Sequence, residues 1–276
     1  MTDSPTGRTL RYDGAAQRRE QILAALKEHA FVSVVDLAHS LDVSGMTIRR
    51  DLRRLEESGE IRVVHGGASL LDHSGRSTFS LRSAVAKAAK NAIARHAVTL
   101  LRPRETIAID AGTTAFHVAA ALPLEFNGLI ITHSVPVVNH LMNHPSRRLL
   151  CLGGEVLQTS HAFIGQTTID AIQKLRIGTL FLSATAADPS GVYVEADIER
   201  PTKIALIRAS SRVVLLLDHT KFQALAPVQL CSWEYIDEVI TDAELPADVT
   251  LACAEKSVTV TVAPHSAHST PAARKS

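Results

Sequence analysis

The most informative part of the chain is SGMTIRRDLRRLEESG, residues 44–59. Ile48, Leu52 and Leu55 recur in it at helical spacing, which predicts a helix with one apolar face. Ser44 precedes this face, where its hydroxyl can accept a hydrogen bond from a free amide of the first turn. The glycine that closes the stretch suits the left-handed conformation in which many helices end. We therefore predict a helix of about 14 residues after Ser44.

The sequence on both sides of this helix completes a small domain. Apolar spacing predicts one helix over roughly 15–29, and Ser33 is placed to cap a second, short helix. After the third helix, the β-branched run Ile61–His65 predicts a strand, and the glycines that follow it predict a turn. Three helices and a small β-ribbon are typical of a winged helix-turn-helix, an α+β domain that we place at residues 15–68.

Four arginines on the third helix form two i, i+4 pairs. In a helix-turn-helix the start of this helix enters the major groove, so its first residues face base edges and the later arginines reach phosphates. The residues that we expect to contact DNA are Ser33, Ser44, Gly45, Met46, Thr47, Arg49, Arg50, Arg53, Arg54 and His65. A solvated helix face is the plainer alternative, because Asp51, Glu56 and Glu57 partly neutralise the arginines.

Composition limits the class of protein. The 276 residues contain 29 Lys and Arg against 28 Asp and Glu, a formal net charge of +1, so any attraction to DNA has to be local. This length predicts two domains. The three cysteines are widely spaced and lack a CxxC pair, so we expect a cytoplasmic protein without disulfides or a metal site. No cofactor is indicated, and no apolar run is long enough to span a membrane.

The pattern changes beyond a polar stretch at 69–81, which we interpret as a linker. A helix over about 82–101 leads into seven short apolar runs, most of them separated by lengths suited to helices. The runs are 106–110, 129–132, 149–154, 179–184, 213–218, 238–241 and 258–262. They are typical of a buried, mostly parallel sheet, so we expect an α/β domain at 82–263, with disordered tails at 1–14 and 264–276.

Polar residues collect where these strands end. The loop DAGTT, Asp110 to Thr114, offers a glycine, two hydroxyls (Thr113 and Thr114) and free helix amides, which together suit an anion. A capped turn without a ligand is an equal alternative. Further polar or glycine positions at strand ends are Gly112, Thr132, His133, Ser134, Gly153, Gly154 and Lys221. Since α/β sheets bind ligands at the carboxyl ends of their strands, this set favours a phosphorylated small molecule.

Residues 18–69 resemble the DNA-binding domain of the DeoR family of bacterial transcriptional regulators. The most specific parts are Val43-Ser44, TIRRDL at 47–52 and HGGA at 65–68. The resemblance implies that the third helix is the recognition helix and that 61–65 belongs to the wing.

The rest of the chain, to about residue 263, resembles the sensor domain of the same family. That domain is similar in fold to ribose-5-phosphate isomerase and commonly binds phosphorylated sugars or polyols. The matching residues are Asp110, Gly112, Thr113, Thr114, Thr132, Ser134, Gly153, Gly154, Gly165, Glu199, Lys203, Asp218, Lys221 and Phe222. The resemblance therefore implies an effector site that also includes Glu199.

Three positions depart from the family pattern. His133 stands where asparagine is usual, Gly178 where aspartate is common, and Ala186 in a turn that is usually richer in glycine. The effector's identity therefore cannot be copied from a relative. A domain that serves only oligomerisation, with a vestigial pocket, is one alternative.

We expect a transcriptional repressor of carbohydrate metabolism genes. Its affinity for operator DNA is expected to change when a phosphorylated sugar or polyol binds. One winged helix reads a short half-site, so a homo-oligomer (a dimer or tetramer) is expected. The main alternative is a sugar-phosphate isomerase with an added DNA-binding domain. Groups that could transfer protons are Asp110, Glu195, Asp197, Glu199 and Lys221. We expect no catalysis, because likeness of fold is a weak warrant for chemistry.

Overall fold

The structure, a computed structural model, describes residues 10–29, 31–64, 67–70, 79–144 and 147–264. They form two compact units that divide between Val85 and Ala86. Residues 71–78 of the predicted linker and 265–276 of the predicted C-terminal tail lie outside the described residues.

The first unit consists of helices and a small sheet. Its helices are α1 (Leu10–His29), α2 (Val34–Ser40), α3 (Gly45–Glu57) and α4 (Phe79–Ala84). Its strands are β1 (Phe31–Ser33), β2 (Ile61–Val64) and β3 (Gly67–Leu70), paired antiparallel in the order β1-β3-β2. The predicted helix-turn-helix with its β-ribbon is confirmed, and β1 adds a strand that the sequence does not predict.

Three boundaries differ from the prediction. The first helix begins at Leu10, inside the predicted tail at 1–14. Strand β3 and helix α4 take up the two ends of the predicted 69–81 linker. The predicted helix over 82–101 is interrupted at Ala86, whose φ of 52° is left-handed. A residue in that conformation cannot continue a right-handed helix.

The core of the first unit comes from the apolar faces that the sequence predicts. Ile22 and Leu26 of α1 belong to one cluster with Ile48 and Leu52 of α3, and all four side chains are fully buried. Burying this side of α3 leaves its opposite side to solvent.

One ion pair joins α1 to α3. Arg18 Nε donates to Asp51 Oδ2 at 2.6 Å, and Asp51 is only 2% exposed. Asp51 lies on the core side of α3, one turn from Ile48 and from Leu55, so it does not neutralise the outer arginines. The outer side of α3 is therefore more positive than its composition suggests.

We expect Arg18→Ala to loosen α3, because it leaves the buried carboxylate of Asp51 without this partner. Losing such a bond costs about 1–3 kcal/mol, so amides of α3 should exchange hydrogen for deuterium roughly 5- to 150-fold faster. Arg19→Ala is the matched control, since Arg19 Nε donates to Ala15 O within α1 itself. Equal exchange rates in the two variants would contradict this role of the ion pair.

The second unit is a layered α/β domain. Its strands are β4 (Ile107–Ile109), β5 (Leu129–Thr132), β6 (Arg148–Cys151), β7 (Glu155–Leu157), β8 (Ala162–Ile164), β9 (Ile177–Ser183), β10 (Ala186–Asp188), β11 (Gly191–Val194), β12 (Ser210–Leu216), β13 (Val228–Cys231), β14 (Glu238–Thr241) and β15 (Thr259–Val262). Its helices are α5 (Lys87–Ala97), α6 (Thr113–Ala121), α7 (Val135–Met142), α8 (Gln166–Ile172), α9 (Arg200–Ala209) and α10 (Ala247–Glu255).

Seven of these strands form one sheet, in the order β15-β14-β12-β9-β4-β5-β6. Every adjacent pair is parallel. They correspond to the seven apolar runs of the sequence, so the prediction of a mostly parallel sheet is confirmed. The strand order reverses between β4 and β9, and open α/β sheets bind ligands in the crevice that such a reversal creates.

Helices cover both sides of this sheet. Ala115 of α6 and Val137 of α7 belong to one apolar cluster, whereas Ile172 of α8 and Leu206 of α9 belong to another. Successive residues of β12 alternate between the two clusters, as a strand buried on both faces requires. In the described part of the chain, every helix is too short or too polar to cross a membrane.

The sequence does not predict five short strands. β7 and β8 form an antiparallel hairpin, and β10, β11 and β13 form a separate antiparallel sheet. Each is so short that no alternation of polar and apolar residues stands out. The hairpin lies beside the segment after β5, where Phe163 N donates to His133 O at 2.8 Å and Val135 N donates to His161 O at 2.9 Å.

Candidate functional site

The outer side of α3 is the candidate surface for DNA. Arg49, Arg50, Arg53 and Arg54 are all exposed there. Met46 precedes them and is 75% exposed. Guanidinium groups gathered on one solvent-facing helix surface have the distribution needed to neutralise DNA phosphates.

Two predicted DNA contacts cap the helices of this unit. Ser44 Oγ accepts from Thr47 N at 3.2 Å and lies 2.9 Å from Thr47 Oγ1. Ser33 Oγ accepts from Asp36 N at 3.0 Å and donates to Asp36 Oδ2 at 2.7 Å. These bonds fix the starts of α3 and α2. Direct contact of either serine with DNA stays a prediction.

Two further predicted contacts are Gly45 and His65. Gly45 begins α3 close to α2, since a Cβ built on it would lie 3.4 Å from Val34 Cγ1. His65 lies outside the described residues. Both contacts therefore stay predictions.

A buried carboxylate forms the centre of the second candidate site. Asp110 follows β4, is fully buried, and accepts from Ser183 N at 3.0 Å. It forms an ion pair with Lys203 of α9, which also donates to Ser183 O at 3.2 Å, and its Oδ1 lies 3.0 Å from His133 Nε2. Burial acts to raise the pKa of Asp110, but Lys203 and His133 together outweigh burial and hold the pKa well below its usual range. This carboxylate therefore joins β4, β9, α9 and the segment after β5.

His133 connects the carboxylate to the β7–β8 hairpin. Its Nδ1 lies 2.9 Å from Phe163 O, a carbonyl that can only accept, so Nδ1 carries a proton. Its Nε2 lies within hydrogen-bond distance of both Ala111 N, at 3.2 Å, and Asp110 Oδ1. The neutral ring accepts from Ala111, and the protonated ring donates to Asp110. In either state His133 holds the hairpin at the site.

The DAGTT loop packs against β9. Gly112 is the N-cap of α6, and a Cβ built on it would lie 2.0 Å from Ser183 Cβ. Ser183 Oγ accepts from Ala115 N at 3.1 Å, while Thr113 and Thr114 are buried in the first turn of α6. The missing side chain of Gly112 therefore makes room for Ser183, and contact of this glycine with a ligand stays a prediction.

Thr132 and Ser134 hold the end of β5. Thr132 Oγ1 donates to Ile109 O of the neighbouring strand at 2.7 Å and accepts from Ser134 N at 3.1 Å. Ser134 Oγ accepts from Val137 N at 3.4 Å and so caps α7. Both hydroxyls thus position the loop that carries His133, and their contact with a ligand stays a prediction.

Gly153 and Gly154 lead into the hairpin. Gly154 has a φ of 151°, and a Cβ built on it would lie 2.6 Å from Ile164 O, so a side chain would collide with β8. A Cβ on Gly153 would meet open space among the described residues. Gly154 is therefore needed for the fold, whereas the position of Gly153 would accept a methyl group.

Lys203 and His133 line a small cavity beside Asp110. The other lining residues are Ala111, Ser160, Ala162, Ile164 and Glu199. Its volume is about 10 Å³, enough for roughly one water molecule. Sites for small molecules usually measure about 300–1,000 Å³. Binding of a metabolite here therefore requires that the hairpin or the segment before α9 move.

Ser160 is the polar residue of this cavity that the sequence does not predict. It lies between β7 and β8, is 4% exposed, and its Oγ has no hydrogen-bond partner among the described residues. Leaving a buried hydroxyl unpaired costs free energy, and a polar ligand would remove that cost. No motif surrounds this serine, so only its three-dimensional neighbours distinguish it.

Lys221 is not among the described residues that line the cavity. It belongs to a short 3-10 helix, His219–Phe222, which lies next to β10. Asp218 caps this helix by accepting from Thr220 N at 3.1 Å. A role of Lys221 in effector binding stays a prediction. The described residues include no group of three His, Cys, Asp or Glu side chains that could hold a metal ion.

We expect Gly112→Ala to lower the free energy of unfolding of the second unit by about 1–3 kcal/mol or more, because the added methyl collides with Ser183. Gly153→Ala is the matched control and should change stability by less than about 1 kcal/mol. Urea unfolding measures the free energy of unfolding of both variants. It can be followed by the fluorescence of Trp233, which is only 2% exposed in this unit. Equal losses in the two variants would contradict the packing of Gly112 against Ser183.

Both units match known protein families. Residues 85–243 match the family model described as the DeoR C terminal sensor domain, and residues 18–74 match the model described as the DeoR-like helix-turn-helix domain. Among solved structures, ribose 5-phosphate isomerase A from Methanocaldococcus jannaschii aligns with 48% of this chain and 53% of its own, at 17% identity and a TM-score of 0.36.

Relatives cover most of the chain. The glycerol-3-phosphate regulon repressor of Escherichia coli (strain K12) is 36% identical over 234 residues, which are 84% of this chain and 93% of that protein. The HTH-type transcriptional repressor CsqR of the same strain is 33% identical over 231 residues, 83% of this chain and 88% of its own. Matches to both domains, in the order in which they follow one another here, show that the chain belongs to the DeoR family of transcriptional regulators.

Proposed function

We propose that this protein represses carbohydrate metabolism genes by binding operator DNA, and that a phosphorylated sugar or polyol bound in the second unit changes its affinity for that DNA. One observation carries the proposal: a single chain combines an exposed arginine surface on α3 with a closed, charged cavity at the reversal of strand order. The names of its relatives, one of them a glycerol-3-phosphate regulon repressor, support the same class of effector.

The arginine surface supports binding to the DNA backbone and major groove. Arg49 is nearest the start of α3, where recognition helices meet base edges, and the later arginines are placed for phosphates. A single such helix covers a short half-site. We therefore propose that the protein acts as a homo-oligomer, in which paired recognition helices are about 34 Å apart or a multiple of that distance.

The polar groups of the cavity suit a ligand with both hydroxyl and phosphate groups. Ser160 Oγ and the carboxylate of Glu199 are matched to ligand hydroxyls, and Lys203 is matched to an anion. Because Lys203 is already paired with Asp110, a phosphate has to compete for its ammonium group. Such competition would displace α9 on binding, since Lys203 belongs to α9 and Glu199 immediately precedes this helix. Typical coupling between two sites is about 1–3 kcal/mol, or roughly 5- to 150-fold in affinity.

We place the protein in the cytoplasm, with DNA and a metabolite as its partners, and we assign it no reaction. Turnover can be measured with a panel of aldose phosphates and the purified protein. Ketose formation above the background rate would contradict the assignment as a regulator alone.

Arg50→Ala should weaken binding to operator and non-operator DNA alike and lower the slope of log affinity against log salt by about one, because one phosphate is no longer neutralised. Gel shifts at several salt concentrations measure this effect. Arg208→Ala, which removes an exposed arginine from α9, is the control and should bind DNA like the wild type. Unchanged DNA binding by the Arg50 variant would contradict the proposal that the arginine surface contacts DNA.

Ser160→Ala should weaken effector binding about 2- to 12-fold, the usual range for removal of one hydrogen bond. The measurement is thermal stabilisation of the protein by glycerol 3-phosphate and a panel of pentose and hexose phosphates, followed by gel shifts with each active compound. Ser190→Ala, at an exposed serine of the same unit, is the control. If none of these compounds stabilises the wild type, this class of effector is rejected. If the Ser160 variant is stabilised as much as the wild type, Ser160 is excluded from the site.

A further inference from the structure

Met46 places an apolar group on the arginine surface of α3. At about 100° per residue, it lies one turn before Arg50 and two turns before Arg53, on the side opposite Ile48 and Leu52. Those two apolar residues are fully buried, whereas Met46 is 75% exposed. Single exposed apolar residues are ordinary on protein surfaces, so what distinguishes this methionine is its position among guanidinium groups.

Met46 is the large exposed side chain in the first turn of α3. Gly45 has no side chain, and the hydroxyls of Ser44 and Thr47 lie 2.9 Å apart and bond to one another. Both hydroxyls therefore take part in fixing the first turn. Met46 extends beyond them as a flexible, unbranched thioether that can adapt to an irregular surface.

We propose that Met46 recognises the 5-methyl group of a thymine in the operator. The inference rests on the proposed function, in which the start of α3 enters the major groove. Each base pair presents donors and acceptors in that groove, and thymine adds an apolar methyl group to its edge. A thioether is only a weak hydrogen-bond acceptor and cannot donate to a phosphate, whereas contact with this methyl removes apolar surface of both partners from water.

The test replaces thymine by uracil, which removes the methyl group and leaves the base-pair hydrogen bonds intact. Duplexes that bind the full-length wild-type protein are first selected from a random DNA pool. They are then prepared with thymine or with uracil, and their affinities are compared for the wild type and for Met46→Ala. Val35→Ala is the matched control, because Val35 of α2 is also 75% exposed.

The wild type should bind uracil-containing sites about fourfold more weakly for each recognised methyl group that the substitution removes. Val35→Ala should lose the same affinity as the wild type when uracil replaces thymine. Met46→Ala should bind the two forms equally well, because its partner for the methyl group is gone. If the effect of replacing thymine by uracil depends on the presence of Met46, the two groups are energetically coupled, as groups in direct contact are.

The inference is overturned if Met46→Ala loses as much affinity as the wild type on uracil substitution, if the wild type loses none, or if the selected sites contain no thymine. Failure of the wild type to select any DNA would overturn the proposed function itself. The two failures are thus distinguishable, and the circular dichroism melting curves of the variants verify that each is folded.

Discussion

The second unit depends on a negative charge buried beside the central strand of its sheet. A carboxylate in an apolar interior is tolerable only while it is paired and hydrogen-bonded, and Asp110 meets that condition through Lys203 and Ser183, to which a protonated His133 adds a third donor. These partners come from α9, from β9 and from the segment after β5. The requirement to satisfy one charge therefore fixes the elements around the strand-order reversal, where an α/β sheet binds ligands.

The same groups determine how the cavity can respond to a ligand. Lys203 cannot bind a phosphate without losing part of its interaction with Asp110, and His133 ties the β7–β8 hairpin to the loop that carries this carboxylate. The closed cavity is thus the state in which these charges satisfy one another. A ligand that supplies replacement charges and hydroxyl groups favours another arrangement, and differential binding of this kind is what shifts a conformational equilibrium.

The sequence predicts a surface well where that surface depends on spacing within one helix. The arginine surface of α3 follows from the spacing of residues 48–55, because the buried residues of this helix fix its orientation. The candidate effector site is harder to predict, since Lys203 meets Asp110 across 93 positions of sequence and Ser160 has no motif around it. The packing of Gly112 is also beyond the sequence, because the atoms that come close to it belong to Ser183, which only the strand order brings there.

The central claim is that the Asp110–Lys203 pair is one coupled unit that holds the sensor site together. A double-mutant cycle with Asp110→Asn, Lys203→Met and the combined variant tests it most directly, using urea unfolding followed by Trp233 fluorescence. Lys203→Met alone should cost about 3–5 kcal/mol because it strands a buried charge, and the combined variant should lose clearly less than the sum of the two single losses. Losses that simply add would show that the two residues act independently and would contradict the claim.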